Sequence, residues 1–262
     1  MFRKTILSIV ALIFCGLVVL VIDGVRRVMA IERLEKQSVI FDEWNYRYSR
    51  TAAPRNFPDA PAGSWHGHFQ RIIASPRRAV IATYIYDTAN LLKMEVKASM
   101  MRDVAVLGID DLFIWDCQRL SPETMSALSQ LSTLRTLFVH HSGLANEELN
   151  RLWSRMPALE SLTVDEREIG DDAFRDVKAA RKLRELDLSE AGITDRAIAH
   201  LRDSTSLEGL SLNGVAVTED CAPLLAAVPA LRSVRLVDVR AGHAISEKLR
   251  VLNPKIVVKV EP

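Results

Sequence analysis

The sequence has few cysteines, few aromatic residues and no excess of charge. Its 262 residues include three cysteines and 6% aromatic residues, and its formal net charge is +1. Cys15 lies in an apolar run, and Cys117 and Cys221 are far apart in the chain, so no disulfide framework is expected. The balanced charge also lacks the basic excess that nucleic-acid-binding proteins use against phosphates. The sequence therefore predicts neither a disulfide-stabilised scaffold nor nucleic-acid binding.

The sequence also lacks the common motifs of catalysis and nucleotide binding. It contains no GxSxG, CxxC, GxGxxG or P-loop pattern. The nearest approach is GLSLN at 209–213, which has Asn where a nucleophile elbow needs its second Gly. Because no set of residues would supply an acid, a base and a nucleophile together, we do not expect an enzyme.

Four of the six histidines fall into two pairs. One pair lies in WHGHF at 65–69, and the other is His140 and His141, with Asp116 and Asp165 at nearby repeat positions. Metal sites need three or four converging ligands, and no spacing in the sequence fixes more than two. Surface histidines are the simpler interpretation. The sequence therefore predicts no metal site and no cofactor.

What the sequence does contain is a repeat. Apolar residues recur every 24 or 25 residues from Leu134 onwards, in LRTLFV, LESLTV, LRELDL, LEGLSL and LRSVRL. A period of this length indicates a solenoid. Within each unit the apolar positions 0, 3 and 5 predict a short strand, and a helical pattern follows. The register extends back to a sixth unit at Ile109, Leu112, Ile114 and Leu120, and to a degenerate seventh near Ile81, Tyr84, Tyr86 and Leu91.

One unit carries the full pattern of apolar and capping residues: Leu183, Leu186, Leu188, Ile193, Thr194, Asp195, Ala197 and Leu201. It resembles the bacterial leucine-rich-repeat pattern LxxLxLxxTxITDxxLxxL, with ribonuclease-inhibitor-like repeats. The resemblance covers roughly residues 80–262. It implies an α/β fold, a leucine-rich-repeat solenoid with one strand and one helix per repeat, in which Thr194 is the helix N-cap.

One position departs from that pattern. Three residues after the last strand leucine, such repeats usually carry Asn, Cys or Thr, whose side chain satisfies backbone groups of the turn. Here the position reads Cys117, Ser142, Arg167, Ala191, Val215 and Val239. We therefore expect a less regular hydrogen-bond ladder in the later turns.

The N-terminus carries an uncharged apolar run of 18 residues, Thr5 to Ile22, with basic residues on both sides. A run of that length can cross a bilayer, which predicts a single-pass anchor. The alternative is a cleaved signal peptide, because Val28-Met29-Ala30 resembles a cleavage site. The run exceeds the usual apolar core of about 7–15 residues, which favours the anchor. The short N-terminal tail favours an N-in, C-out orientation in the cell membrane, with the repeats outside the cytoplasm.

The region between the anchor and the repeats predicts a helix at Val25–Lys36 and a strand at Val39–Tyr48. Residues 30–42 (AIERLEKQSVIFD) resemble the stretch AIxxLGGxVxYD that follows the membrane segment of small anchored bacterial leucine-rich-repeat proteins. A Pro-containing linker at 51–63 follows, and an amphipathic segment at 65–73 is expected to cap the solenoid. The predicted organisation is an anchor at 1–23, a connecting and capping region at 24–79, and a repeat domain at 80–262 that ends in a helix at 244–252 and a strand at 256–260.

The repeat also predicts a surface. Strand residues alternate sides, so positions 2, 4 and 6 of each unit face the concave side of the solenoid. We expect candidate partner-binding residues there, grading from aromatic to acidic to basic: Phe113, Trp115, Phe138, His140, Asp165, Glu185, Asp187 and Arg235. Aromatic residues are frequent at binding hot spots, and Phe138 is expected to be harder to cover than Phe113.

These features predict a non-catalytic, membrane-anchored protein–protein interaction module that binds a protein or peptide on its concave face. The alternative is a structural or assembly element of the cell envelope that uses the convex helices or the anchor.

Overall fold

A computed structural model describes residues 25–27, 29–30, 32–34, 39–42, 78–82, 95–115 and 117–262. The predicted anchor at 5–22, the linker at 51–63 and the predicted capping segment at 65–73 lie outside the described residues. Within the described part of the chain, no helix combines the length and the apolar character needed to cross a membrane.

The described strands form one nine-stranded sheet in sequence order. β1 pairs antiparallel with β2, and every later neighbour is parallel. The strands are Val39–Asp42 (β1), Arg78–Ala82 (β2), Asp111–Trp115 (β3), Thr136–His140 (β4), Ser161–Asp165 (β5), Glu185–Ser189 (β6), Gly209–Asn213 (β7), Ser233–Val237 (β8) and Val257–Glu261 (β9). The register aligns Leu137, Leu162, Leu186 and Leu210 side by side. This is the strand side of a leucine-rich-repeat solenoid, which confirms the predicted solenoid part of the fold.

The segments between the strands return along the convex side of the core. Their helices are Ala98–Leu107 (α1), Pro122–Leu128 (α2), Asn146–Arg155 (α3), Asp195–Leu201 (α4), Cys221–Ala226 (α5) and Gly242–Leu252 (α6). Thr194 caps α4 as predicted, since its side-chain oxygen accepts from the Arg196 N–H at 3.3 Å. The C-terminal pair α6 and β9 also stands where the sequence predicts it.

The unit after β5 departs from the prediction of one α-helix per repeat. Two 3₁₀ turns stand there instead, at Asp171–Phe174 and Val177–Ala179. Helix α3 supplies the reason. Trp153 Nε1 donates to the Ala173 carbonyl at 2.7 Å, and Asn150 Oδ1 accepts from the Asp176 N–H at 2.9 Å. In an α-helix both of these backbone groups would form hydrogen bonds within the helix. Here they bond to side chains of α3 instead.

The seventh unit exists, but its predicted register is wrong. β2 pairs Ala79 with Leu112 and Ile81 with Ile114, five residues before the predicted strand positions Tyr84 and Tyr86. The step from Ala79 to Leu112 is 33 residues, longer than the 24 or 25 of the other repeats. Counting back by one period therefore stops short of the strand.

The N-terminal helical residues at 25–34 belong to the same buried cluster as α1, through Ala30 and Leu34. Arg33 Nη2 lies 2.5 Å from Asp103 Oδ1, and Asp103 is buried. A buried carboxylate is costly unless it is paired. The ion pair therefore favours one placement of these helical residues against α1.

The turns after β4, β6, β7 and β8 repeat one backbone hydrogen bond. Four residues with a left-handed backbone donate their N–H to a carbonyl of the next strand: His141, Glu190, Gly214 and Asp238, with φ of 47°, 53°, 63° and 48°. The acceptors are the carbonyls of Asp165, Asn213, Val237 and Glu261. The prediction of a less regular ladder is therefore wrong at the turns after β6, β7 and β8, where a backbone carbonyl of the next strand accepts from the turn.

A row of alternating charges crosses the sheet at the residue just before each of the strands β3 to β8. This charge ladder consists of Asp110, Arg135, Glu160, Arg184, Glu208 and Arg232. Nitrogen–oxygen distances are 2.7 Å for Arg135–Glu160, 3.7 Å for Arg184–Glu208 and 4.0 Å for Arg232–Glu208. Neighbouring strands lie about 4.8 Å apart, so alternation makes each neighbour attractive where like charges would repel.

We expect Leu186→Ala to lower the free energy of unfolding by about 2–5 kcal/mol, because it empties a buried leucine site. Leu186 is 1% exposed in the middle of the array. Urea denaturation of the full-length chain measures the change. Val251, which is 83% exposed, gives the control: Val251→Ala should change stability by no more than about 0.5 kcal/mol. An unchanged midpoint for Leu186→Ala would contradict its place in the core.

We expect Arg184→Glu to lower the denaturation midpoint at low ionic strength, since it puts three negative charges in a row with Glu160 and Glu208. The loss should shrink in about 1 M salt, where the screening length is about 3 Å. Arg250→Glu makes the same charge change on the exposed side of α6 and should have no comparable effect. Equal effects of the two substitutions, or a loss independent of salt, would show that the ladder does not stabilise the sheet.

Candidate functional site on the concave face

The strand positions on the concave face form three columns across the sheet. The first column contains Asp111, Thr136, Ser161, Glu185, Gly209 and Ser233. The second contains Phe113, Phe138, Thr163, Asp187, Ser211 and Arg235. The third contains Trp115, His140, Asp165, Ser189, Asn213 and Val237. All eight predicted site residues therefore fall in these columns.

The aromatic end of the face is packed. Phe138 is only 5% exposed. Its ring centroid lies 5.8 Å from that of Phe113 and 6.2 Å from that of His140, and the Phe138 and His140 planes are 7° apart. The expectation that Phe138 would be hard to cover is wrong. Phe113 on the adjacent strand and His140 two residues along the same strand are both close enough to cover Phe138, while Phe113 stays partly exposed.

His140 and Asp165 meet across β4 and β5. His140 Nε2 lies 3.3 Å from Asp165 Oδ2, and their side chains are 17% and 23% exposed. The ring of His141 lies beside that of His140, with centroids 3.9 Å apart and planes at 47°. The sequence already pairs His140 with His141 and places Asp165 nearby in register, but it does not fix all three as converging ligands. Consecutive strand residues face opposite sides, and the left-handed backbone of His141 ends that alternation.

Glu185 stands at the middle of the first column. Its carboxylate lies over Gly209, where an added Cβ would come 2.0 Å from Glu185 Oε2. Glu185 is an exposed residue, but partial desolvation of its carboxylate raises its pKa, and the neighbouring Glu208 carboxylate raises it further. Glu185 has no ion-pair partner within the described part of the chain. A cation bound beside it would favour its charged form.

A groove runs between the charge ladder and the first column. It is lined by Asp110, Asp111, Arg135, Thr136, Glu160, Ser161, Arg184, Glu185 and Glu208. Carboxylates outnumber guanidinium groups in this lining, and we call it the acidic groove. Sequence reasoning found Glu185 but missed the ladder side of the groove. The signal was present in the alternating LR and LE pairs that open the repeats.

At the basic end of the face, two cations share one carboxylate. Arg235 forms an ion pair with Glu261, and Lys259 Nζ lies 2.6 Å from Glu261 Oε1. Hydrogen bonds from these two cations lower the pKa of Glu261 to about 2. The predicted last strand stops one residue short of Glu261, so the partner of Arg235 could not be expected from the sequence.

Comparisons with known proteins add little to this geometry. No family model and no curated protein matches the chain. Among solved structures, it is similar to an internalin from Listeria monocytogenes str. 4b F2365, with 14% identity and a TM-score of 0.48. The match covers 73% of this chain and 56% of the internalin, so the chain spans little more than half the length of that protein. The assignment of a leucine-rich-repeat solenoid rests on the strand register and the repeat.

Proposed function

We propose that this protein is a non-catalytic, membrane-anchored interaction module that binds a positively charged segment of a protein or peptide on its concave face. The observation that carries the proposal is the acidic groove with Glu185 at its centre. The pKa of Glu185 is raised because partial desolvation of its carboxylate and the charge of Glu208 both disfavour its negative form. A Lys or Arg of a partner would relieve both effects, so complementary charge is the expected basis of recognition.

The shape of the acidic groove suits an extended peptide. The groove passes from Asp111 on β3 to Glu208 just before β7. Four strand spacings of about 4.8 Å give a length of about 19 Å, which about six residues of extended chain would span at about 3.3 Å each. Ser161 and Thr136 add hydroxyl groups to its lining. A short basic segment can therefore use charge and hydrogen bonds along its whole length.

The buried state of Phe138 changes what the ligand needs. The sequence places Phe138 among the candidate contacts and expects it to be exposed, which would favour an apolar group on the ligand. With Phe138 covered, Phe113 is the described aromatic side chain of the second column that stays partly exposed. Apolar contact is therefore secondary in the proposed interface, and the carboxylates dominate.

The anchor remains part of the proposal. Its support is the length of the apolar run at 5–22 and the basic residues beside it. Among the helical residues that follow, Ala30 and Leu34 pack into the core, and Arg33 pairs with Asp103. An anchor joined to these residues would lead into the folded domain with little free chain between them. We place the repeats outside the cytoplasm, in an N-in, C-out orientation.

A second candidate function is a structural or assembly element of the cell envelope. Its support lies on the convex side, where Val251 and Leu252 of α6 are 83% and 53% exposed. They line a shallow apolar surface together with Pro223. Lateral contacts through this surface would leave the concave face free, so variants on the two faces separate the two functions.

We expect Glu185→Lys to slow association with a partner identified by crosslinking in intact cells, and the loss to diminish as salt is added. Asp187→Lys, in the next column, should act in the same direction. Glu147→Lys makes the same charge change on the convex helix α3, where Glu147 is exposed, and should leave the association rate unchanged. Surface plasmon resonance at several ionic strengths measures the rates. Arg196→Glu, a charge reversal at an exposed position of the convex helix α4, is a second control. If Glu147→Lys or Arg196→Glu is the damaging change, the interface is convex and the assembly function is favoured.

We expect protease added to spheroplasts to degrade the repeat domain, because the proposed orientation exposes it outside the cytoplasmic membrane. Immunoblotting of the intact and lysed cells measures the loss. A domain that resists protease until the cells are lysed would reverse the orientation. A mature N-terminus at Ile31, read by mass spectrometry, would show that the N-terminal segment is a cleaved signal peptide.

A further inference from the structure

The cluster of His140, His141 and Asp165 lies at the third column, outside the acidic groove. We propose that these three side chains hold a divalent transition-metal ion, with Zn²⁺ as the ion to test. The sequence alone predicts no metal site, because it fixes no more than two converging ligands. The structure brings a third, His141, to the other two.

The distances within the cluster suit a shared ion. One ligand atom from each residue lies within 4.8 Å of the other two. His140 Nε2 and Asp165 Oδ2 are 3.3 Å apart. Two ligand atoms bound tetrahedrally at about 2.0–2.2 Å from Zn²⁺ stand about 3.3–3.5 Å from each other. This pair therefore already has the separation that a common ion imposes, and a water would complete four-coordination beside the three protein ligands.

The ligands are held by the fold before any ion binds. Phe138 stacks on the ring of His140, and the His141 N–H donates to the Asp165 carbonyl at 3.1 Å. That hydrogen bond ties the turn after β4 to the end of β5. Asp165 Oδ1 is buried and accepts no hydrogen bond from any residue that the structure describes. A buried carboxylate oxygen without a donor is costly, and an ion bound by this carboxylate would offset the cost.

The surroundings of the cluster are negative. Glu166 is buried, with its carboxylate accepting from the backbone N–H groups of the turn at 142–144, and both Glu166 and Glu190 interact electrostatically with His141. Arg167, 2.7 Å from Glu190, supplies one positive charge. The carboxylates of Asp165, Glu166 and Glu190 outnumber the one positive charge of Arg167, and this excess attracts a cation. Two imidazoles and a carboxylate are ligands that Zn²⁺ and its neighbours in the first transition row accept.

The test is Zn²⁺ titration of the full-length chain, purified in detergent and stripped with a chelator, against a chromophoric zinc indicator. We expect one equivalent bound by the parent protein. His141→Ala and the nearly isosteric Asp165→Asn should each weaken that binding by at least about 10-fold. Co²⁺ in place of Zn²⁺ should give visible absorption bands of a nitrogen-ligated, four-coordinate ion, and both variants should lose them.

Matched histidine variants separate this site from other histidines. His243→Ala on α6 and the double variant His66→Ala/His68→Ala should bind Zn²⁺ as the parent does. Denaturation midpoints in chelator show whether His141→Ala and Asp165→Asn still fold. Unchanged affinity in folded His141→Ala or Asp165→Asn would overturn the proposal, as would the absence of a stoichiometric site in the parent. Either result would leave His140 and Asp165 as a simple cross-strand ion pair.

Discussion

No repeat of this protein can bury its own apolar face. A unit of 24 or 25 residues supplies one strand and one short return segment, and its leucines are covered only when a unit stands on each side. Leu186 on β6 is buried between the aligned residues Leu162 and Leu210. The hydrophobic effect therefore acts mainly between units, and it fixes their register. Every surface feature described above is a consequence of that register, since the columns of side chains exist only because equivalent positions are stacked.

The same dependence explains what the sequence could and could not predict. Periodicity is a property of the chain, so the core leucines, the strands β3 to β9 and the N-cap Thr194 are all readable from it. The 3₁₀ turns after β5 are not, because they depend on Trp153 and Asn150 of the preceding helix reaching backbone groups of the next unit. Side chains that act across units leave no periodic signal.

The candidate site shows the same division. The alternation of strand residues placed all eight predicted positions in the concave columns. Their accessibility and pairing followed from neighbours that the pattern does not specify. Phe138 is covered by neighbouring rings, and Arg235 is paired with Glu261. Glu185, in the middle of the face, has no ion-pair partner among the described residues. The proposed binding surface is thus narrower and more acidic than the one the sequence predicts.

The charge ladder has a consequence for how this array can change in length. Loss of the single unit that contains Glu160 would bring Arg135 next to Arg184, and loss of the next unit would bring Glu160 next to Glu208. Loss or duplication of two adjacent units keeps the signs alternating. Recombination between repeats therefore disturbs the charge ladder least when two adjacent units, one positive and one negative, are lost or duplicated together.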